Sequence, residues 1–445
     1  MKLIETLKNI WKIEDLRKRL TITFLFIVIY RFGCHVVLPG INPADLEAMR
    51  NFTNSGLMQL LDMFSGGAFG QASIFALGIM PYITASIVIQ LMGMVVPSFQ
   101  KMQREGESGR MKLNQYTRYL TVLILLVQAP AYLMNLQYQV NAAGGHAHIS
   151  GLMMLYLSIV LTAGAMLIMW LGEKMTDKGI GNGISIIILV GILARFPGAI
   201  VQEFTSRLNT AQGGLVMFLV EIVILFAVTA GAVMLTQGTR KVPVQYAKRI
   251  VGNKQYGGAR QYIPLKVNAA NVMPIIFAQA LMFIPITLAG FGARQDAGGF
   301  GGWLSRTFGD MNGFWYNVVY FLMIVAFTYF YTAITVRPTQ MAEEMKKNSG
   351  FIPGIKPGKK TAEYLDSIMS RITLPGSIFL GIVAILPAFA RYFGVNQQFA
   401  QFFGGTSLLI TVGVVLDTLQ QIETHLMMHH YDGLMKSGKL KGRNR

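Results

Sequence analysis

The chain has 445 residues, of which 53% are hydrophobic and 13% are charged. Soluble domains carry about 25% charged residues, so this composition argues against a soluble cytosolic enzyme. The net charge of +18 is compatible with binding to nucleic acid or anionic lipid, or with orientation in a membrane. The single cysteine, Cys34, excludes an internal disulfide and a cysteine metal cluster.

Apolar stretches near 20 residues recur along the chain, and a helix of that length crosses a hydrocarbon core about 30 Å thick. They predict an all-α polytopic membrane protein with ten transmembrane helices. The predicted spans are Leu20–Leu38, Ala72–Val96, Thr117–Leu136, Leu152–Leu171, Ile180–Ala194, Leu215–Leu235, Val267–Gly290, Trp315–Thr335, Leu374–Ala390 and Gly404–Ile422.

Lysine and arginine are distributed unevenly between the loops. The N-terminal segment, every second loop and the C-terminal tail carry 32 of them, whereas the intervening loops carry 6. The positive-inside rule therefore predicts that both termini lie in the cytoplasm, as an even number of spans requires.

The spans divide the chain into an ordered series of regions. In residues 1–19, apolar residues recur at helical spacing with lysines between them, which predicts a cytoplasmic amphipathic helix rather than a cleaved signal. Five spans fall in residues 20–200 and five in 201–422, so we expect two pseudo-symmetric halves of inverted topology. Residues 423–445 form a cytoplasmic tail.

Glycine and proline interrupt the second, fifth and seventh predicted spans, as in helices that line a cavity at membrane depth. A further apolar segment, Gly56–Phe69, is too short to cross the bilayer and lies on the outer side. It carries one acid, Asp62, and a glycine pair, Gly66 and Gly67. From the residues alone, two interpretations stay open: a displaceable re-entrant helix or a surface helix on the outer face.

Titratable residues are scarce within the spans, where the acids are nearly confined to Glu221 and Asp417. We expect each of these to have a polar partner near a helix interface. His425 and His429 have a spacing that suits a metal, but no third ligand is close in sequence, which favours a solvated or lipid-head-group role. The sequence thus predicts no enzymatic activity, no cofactor and no metal site, and transport that is powered by a partner or a gradient.

Two long cytoplasmic loops, at residues 236–266 and 336–371, each carry seven basic residues. This density favours docking surfaces for phosphate-rich RNA or an acidic protein. The simpler alternative is positive-inside excess together with contact to anionic lipid. The turn residues between Phe351 and Gly358 predict an ordered hairpin in the second loop.

Several motifs together resemble the SecY family, the central subunits of bacterial protein-translocation channels, and the resemblance covers essentially the whole chain. The motifs are Met63–Ala68 (MFSGGA), Phe75–Ile83 (FALGIMPYI), Glu105–Arg110 (EGESGR), Trp170–Glu173 (WLGE), Gly179–Ser185 (GIGNGIS), Pro353–Gly358 (PGIKPG) and Phe403–Ile410 (FGGTSLLI).

The resemblance implies an hourglass pore between the two halves, closed by a short plug helix and by a ring of apolar side chains. The plug would be the segment Gly56–Phe69, with Leu57, Leu60, Leu61, Asp62, Met63, Phe64, Gly66 and Gly67 as its residues. The ring would consist of Ile79, Ile83, Ile184, Ile188, Ile276 and Ile410.

The depth of the ring can be checked against the charge pattern. Ile188 and Ile276 each follow the last cytoplasmic lysine of their span by ten residues, and Ile83 lies a similar distance from the cytoplasmic end of its span. At 1.5 Å per residue these offsets are about 15–20 Å, which is near the bilayer centre. Branched apolar side chains at that depth would form a dewetting constriction.

The family resemblance also implies a lateral gate between the second and seventh spans, through which signal sequences and membrane anchors reach the lipid. Thr84, Gln128 and Gln279 match its polar positions. The basic loops would receive the SecA motor ATPase or the ribosome, through ribosomal RNA, and the expected docking residues are Lys248, Arg249, Lys254 and Lys356.

Further partners implied by the resemblance are the small membrane subunits SecE and SecG, unfolded secretory and membrane proteins as substrates, and membrane lipids. The expected location is the cell inner membrane. Two other functions compete with this one. A secondary solute transporter shares inverted halves and interrupted helices but should place polar groups at the midplane, where this sequence places isoleucines. A scaffold without a pore would leave the interrupted helices unexplained.

Overall fold

The computed structural model describes residues 11, 13–41, 62–142, 150–209, 214–246, 249–251, 254–256, 260–270, 272–279, 281–282 and 313–436. Helices dominate these residues, as the apolar composition predicts. They are α1 Glu14–Gly33, α2 Met80–Val95, α3 Pro97–Arg104, α4 Glu107–Ala142, α5 Gly151–Lys178, α6 Gly183–Asn209, α7 Gly214–Gln237, α8 at 273–279, α9 Phe314–Thr335, α10 Pro338–Lys347, α11 Lys359–Tyr392, α12 Gln397–Ala400 and α13 Gly405–Lys436.

Among the described residues, seven helices are long and apolar enough to cross a membrane, namely α4, α5, α6, α7, α9, α11 and α13. The α2 and α3 helices together form an eighth candidate, bent by 101° at the break between them. The seventh predicted span begins with α8 and continues beyond the described residues. The chain is therefore a mostly helical, multi-pass membrane protein.

The first helix begins at Glu14, before the predicted start of the first span at Leu20. Glu14 and Asp15 occupy its first turn, where carboxylates interact favourably with the helix dipole. The charged residues 14–19 thus belong to the same helix as the apolar span. The earlier part of the predicted N-terminal amphipathic helix, residues 1–10, lies outside the described residues.

The chain divides into two compact units. One comprises residues 1–201 together with 414–445, and the other comprises residues 202–413. Both boundaries fall within helices, in α6 and in α13. The division into halves predicted from the spans lies between residues 200 and 201.

The second predicted span, Ala72–Val96, is helical only from Met80 onward, because residues 65–79 form turns and one β-bridge. Pro81 does not interrupt a helix, as the sequence suggests, but stands in the first turn of α2. Proline lacks the N–H that would be unpaired there, and its fixed φ suits a helix start. Gly78, with a φ of +57°, ends the preceding turns.

The α6 helix also begins later than predicted, at Gly183 rather than Ile180. Its start is capped by the Asn182 side chain, whose Oδ1 atom accepts hydrogen bonds from the Ile184 and Ser185 amides at 3.1 and 3.4 Å. Asparagine is a preferred N-cap because its side-chain oxygen satisfies amides that have no partner within the helix. The cap fixes the positions of Ile184 and Ile188.

The two basic loops form one small β-structured region within residues 202–413. Strand β1, Thr239–Tyr246, pairs antiparallel with β4, Arg260–Lys266, and on its other side with β5, Gly350–Phe351. Strands β2, Arg249–Val251, and β3, Lys254–Tyr256, form a separate two-stranded ladder.

An apolar core joins these strands to the helices beside them. Seven buried side chains form it: Val242, Val244, Leu265, Met345, Ile352, Leu365 and Met369. The core thus connects the strand pair of the first loop with the second loop and with the start of α11.

Candidate functional site

The residues between 62 and 79, here called the turn segment, lead into α2. Residues 62–64 form a single helical turn, and the rest consists of turns except at Ser73, which forms an antiparallel bridge with Val37. Every residue from Asp62 to Phe69 is buried. A non-helical segment enclosed in this way must have its backbone polar groups satisfied by its own turns and by side chains of its neighbours.

A glycine pair shapes the turn segment. Gly66 and Gly67 have φ values of +67° and +92°, in the left-handed region that glycine adopts without a Cβ penalty. They end the short helix, and the Gly67 amide donates to the Asp62 carbonyl at 2.7 Å. The same turn brings the backbone against α6, where a Cβ on Gly191 would lie 3.1 Å from the Phe64 carbonyl oxygen.

An ion pair joins the turn segment to α6. The Arg195 guanidinium contacts the Oδ2 atom of Asp62. The second carboxylate oxygen of Asp62, Oδ1, accepts a hydrogen bond from the Gly70 amide at 2.7 Å. The Asp62 side chain is 3% exposed and that of Arg195 is 31% exposed. The carboxylate therefore holds the turn closed and binds it to the neighbouring helix.

Three residues of α1 and its C-terminal end contact the carbonyl groups of the glycine turn. The Tyr30 hydroxyl donates to the Ser65 carbonyl at 3.2 Å, and the Arg31 guanidinium donates to the Gly66 carbonyl at 2.6 Å. The sulfur of the buried Cys34 thiol lies 3.7 Å from the Ser65 carbonyl oxygen. These contacts supply donors to backbone acceptors of the turns.

The apolar side of the turn segment packs on α4 and α5. The Phe69 ring meets the Tyr132 ring edge to face, with centroids 4.8 Å apart, and the Tyr132 hydroxyl donates to the Phe69 carbonyl at 2.8 Å. The surrounding core contains Ala72, Ala76, Leu133, Leu136, Leu157 and Leu161, among other buried residues.

The predicted plug residues fall partly within this arrangement. Asp62, Met63, Phe64, Gly66 and Gly67 lie in the buried stretch, while Leu57, Leu60 and Leu61 lie outside the described residues. In the described part of the plug, the expected helix extends only over residues 62–64, because the glycine pair ends it. The described contacts place this part inside the unit, against four helices.

Sequence reasoning missed the residues that hold the segment, chiefly Arg31, Tyr132 and Arg195. One signal was available. Arg31 is a charged residue inside an apolar span, and such residues are found almost always with a partner.

The isoleucines predicted for the pore ring in the first unit occur as two pairs. Ile79 and Ile83 are one turn apart, since the Ile83 amide donates to the Ile79 carbonyl at 3.1 Å. Ile184 and Ile188 lie one turn apart at the start of α6. Ile79 and Ile188 are buried, and Ile83 and Ile184 are half-buried. Each pair thus has one side chain enclosed within the unit and one that is partly accessible.

The other two predicted ring residues lie in the second unit. Ile410, near the start of α13, is 1% exposed, and Ile276 of α8 is half-buried. The two elements that carry them approach closely, because a Cβ on Gly413 would lie 2.6 Å from the Val272 side chain. The glycine at 413 thus permits α13 to lie beside the start of α8.

The predicted lateral-gate residues Thr84 and Gln279 are half-buried, and Gln128 lies in α4. The Thr84 hydroxyl donates to the Met80 carbonyl one turn earlier in α2, at 3.1 Å. The Gln279 Oε1 atom is buried and has no hydrogen-bond partner among the described residues. Thr84 and Gln128 belong to the first unit and Gln279 to the second.

The predicted docking residues lie in the β-structured region. Lys356 is exposed in the turn that follows β5, and its carbonyl accepts a hydrogen bond from the Thr361 hydroxyl at 3.0 Å. Arg249 and Lys254 occupy the paired strands β2 and β3. Lys248 lies outside the described residues.

The membrane carboxylate Glu221 has the partner that its position predicts. Its Oε1 atom accepts a hydrogen bond from Arg207 at 2.6 Å, and Arg207 also pairs with Glu203 at 2.9 Å. A second Glu203 oxygen accepts from the Asn396 amide at 2.8 Å. The prediction of a partnered polar group at Glu221 is therefore confirmed, and the cluster joins α6, α7 and the segment after α11.

Comparisons with known proteins agree on one family. The SecY family profile matches residues 73–419. The chain is 44% identical over 440 residues to the protein translocase subunit SecY of Halalkalibacterium halodurans, covering 98% of this chain and 100% of that protein. It is 43% identical over 442 residues to the corresponding subunit of Streptomyces galbus, covering 96% and 98%.

Solved structures with the same fold are more distant in sequence. A protein-conducting channel superimposes with a TM-score of 0.61 at 19% identity, covering 92% of each chain. Sec61 from a canine ribosome–channel complex superimposes with a TM-score of 0.57, also at 19% identity and covering 92% of each chain. Since the profile runs from the turn segment into α13 and both bacterial relatives match over nearly their whole length, the chain belongs to the SecY family.

Proposed function

We propose that the chain is the central subunit of a protein-conducting channel, which passes unfolded polypeptides across the membrane and releases apolar segments sideways into the lipid. Its relatives are named protein translocase subunits, and structures that share its fold are protein-conducting channels. The observation that carries the proposal is the turn segment, a buried non-helical stretch held among transmembrane helices by side-chain contacts. Such a stretch is tolerated at membrane depth where it lines or fills a cavity.

In this proposal the turn segment is the plug. Its contacts with its neighbours are individual hydrogen bonds, a single antiparallel bridge, apolar packing, two ring contacts and one ion pair. These can break without unfolding a transmembrane helix, because no helical ladder crosses the segment between residue 64 and the start of α2. One solved SecY structure is described as having a plug domain that stabilises the closed state and maintains a membrane seal, and its TM-score to this chain is 0.63.

The ring of isoleucines would form the constriction around the moving chain. Helices α2 and α6 both carry their isoleucine pairs at the helix start. Apolar branched side chains exclude water from a narrow passage and so resist ion flow. The same ring would fit closely around an extended peptide.

The gate between the second and seventh spans would involve Thr84, Gln128 and Gln279. The buried Gln279 oxygen, which has no partner among the described residues, supports this assignment. A hydrogen-bond donor that reaches a buried acceptor lowers the free energy of the complex. Opening would exchange such contacts for contacts with signal sequences or membrane anchors.

The cytoplasmic β-structured region would receive the SecA motor or the ribosome, with Lys248, Arg249, Lys254 and Lys356 as contacts. One structure of the same fold is Sec61 in a complex with the ribosome. The exposed Lys356 tip on a region with its own apolar core provides a positive charge at a fixed position. We further propose SecE and SecG as membrane partners, with both termini in the cytoplasm and the inner membrane as the location.

The test is site-specific crosslinking from the six ring positions to a stalled secretory chain. Each isoleucine is replaced in turn by cysteine in a Cys34→Ser background, which otherwise contains no cysteine. We expect crosslinks to the translocating chain from positions such as 83, 188 and 276.

Two controls make the crosslinking specific. Leu161 is fully buried between helices, and Phe226 is 78% exposed on α7. Cysteines at these positions should not crosslink to the substrate. Crosslinks from the controls, or none from the ring, would refute the assignment of the pore.

A further inference from the structure

The ion pair between Asp62 and Arg195 differs in kind from the other contacts of the turn segment. Tyr30, Arg31 and Tyr132 donate to backbone carbonyls of the segment. Asp62 contributes the only charged side chain between residues 62 and 70. The Asp62 carboxylate is therefore the one side-chain charge through which the segment can bind electrostatically to a neighbouring helix.

We propose that the Asp62–Arg195 pair is the electrostatic latch that keeps the turn segment seated, so that charge complementarity at this pair sets how often the segment leaves its site. This inference rests on the proposed function only for its effect on conductance. The seating itself is a property of the described structure.

The two partners are buried to different extents, which makes the latch asymmetric. Removal of Arg195 leaves a carboxylate that is 3% exposed without its counter-charge. Removal of the Asp62 charge leaves a guanidinium that is 31% exposed and can be hydrated. A buried charge without a partner is strongly unfavourable, so the loss of Arg195 should disturb the seated state more than the loss of the Asp62 charge.

The carboxylate also connects the latch to the shape of the turn. Asp62 accepts from the Gly70 amide through Oδ1, and its carbonyl accepts from the Gly67 amide and from the Ser65 hydroxyl. An asparagine at this position retains a carbonyl oxygen for Gly70 but loses the charge. The Asp62→Asn variant therefore separates the ionic contact from the turn contact.

The native Cys34 serves as the reporter. It is the only cysteine of the chain, is 1% exposed, and lies against the Ser65 carbonyl of the turn segment. Departure of the segment would uncover the thiol. The experiment measures the rate of Cys34 modification by a water-soluble maleimide, with the full-length protein in nanodiscs.

Four proteins are compared: the wild type, Arg195→Met, Asp62→Asn and the double variant. We expect Arg195→Met to raise the modification rate roughly tenfold to hundredfold, and Asp62→Asn to raise it less. The double variant should be modified more slowly than Arg195→Met, because it no longer leaves an unpaired buried carboxylate. Equal rates in all four proteins, or additive effects in the double variant, would overturn the latch.

The matched control is Arg118→Met. Arg118 forms a two-contact ion pair with Glu173, at 3.2 and 2.5 Å, between α4 and α5. It has the same chemistry but is not among the described contacts of the turn segment, so Cys34 should keep its wild-type rate. If Arg195→Met does not yield folded protein, the Cys34 modification rates of Asp62→Asn and Arg118→Met are compared instead. Equal rates in these two variants would then overturn the latch.

A parallel measurement of ion conductance separates this inference from the proposed function. Faster Cys34 modification together with higher resting conductance supports both. Faster modification with unchanged conductance supports the latch and contradicts the plug role of the segment. Unchanged modification with a working channel contradicts the latch alone.

Discussion

Gly66 of the turn segment lies directly against Gly191 of α6, so closely that a Cβ on Gly66 would be 3.0 Å from the Gly191 Cα atom. Two backbones approach each other here without intervening side chains. Any side chain at this contact must displace one of them, because the nearest atom on the facing helix belongs to its backbone.

The first prediction concerns this contact. Gly191→Ala places a methyl group 3.1 Å from the Phe64 carbonyl oxygen and 3.2 Å from the Gly66 amide nitrogen, both backbone atoms. We expect the turn segment to be displaced and the resting ion conductance of reconstituted channels to rise several-fold. Gly198→Ala in the same helix is the control, since its Cβ would meet no atom within 4 Å. A similar conductance for both variants would contradict the role of the close contact.

The second prediction concerns the Tyr132 hydroxyl. Tyr132→Phe retains the ring contact with Phe69 but removes the donor to the Phe69 carbonyl. A buried acceptor that loses its partner costs about 1–3 kcal/mol. We expect faster Cys34 modification and modestly higher resting conductance, measured as above. The same change at Tyr138, which is 73% exposed, should alter neither quantity.

The third prediction concerns stability in the second unit. Arg207→Met leaves Glu221, whose side chain is 3% exposed, and Glu203, whose side chain is 1% exposed, without a counter-charge. Breaking a buried pair by removing one partner costs about 3–5 kcal/mol. We expect a clear fall in the denaturant midpoint of unfolding followed by circular dichroism.

The control for this measurement is Lys18→Met. Lys18 and Glu14 are paired on the surface of α1, with both side chains more than half exposed. Exposed pairs contribute little to stability, so the midpoint should not change. An equal fall for both variants would show that the Arg207 cluster is not what stabilises this part of the unit.

The fourth prediction concerns docking. Lys356→Glu reverses an exposed charge at the tip of the second basic loop and leaves the apolar core beneath it intact. We expect reduced motor-driven or ribosome-dependent translocation with unchanged thermal stability, and near-normal transport for Lys356→Arg. Wild-type transport by the charge-reversed protein would remove Lys356 from the proposed docking surface.

Local sequence patterns were enough to predict the helical membrane fold, because apolar length and charge asymmetry are properties of consecutive residues. Asp62 could also be selected, as the one acid of a short apolar segment. Its partner Arg195 could not be identified, since the two are joined by packing between distant segments and no periodicity relates them. Arg195 stands just after the predicted end of the fifth span, where it counts only as a loop charge.

In the second basic loop a hairpin was predicted, but its described strand β5 pairs with β1 of the first basic loop. The strands of the first basic loop were not predicted, although the signal was present. Val242 and Val244 alternate with polar residues or proline, which is the period of a half-buried strand. The partnership of β1 with β5 could not be read from the sequence, because it joins segments that are far apart along the chain.

The sheet order β4-β1-β5 has a mechanical consequence for the two basic loops. Ile352, near the Lys356 tip, shares a core with Leu365 and Met369 of α11. A force on that tip is therefore transmitted directly to α11. The two basic loops would therefore move together under such a force, and not independently of each other.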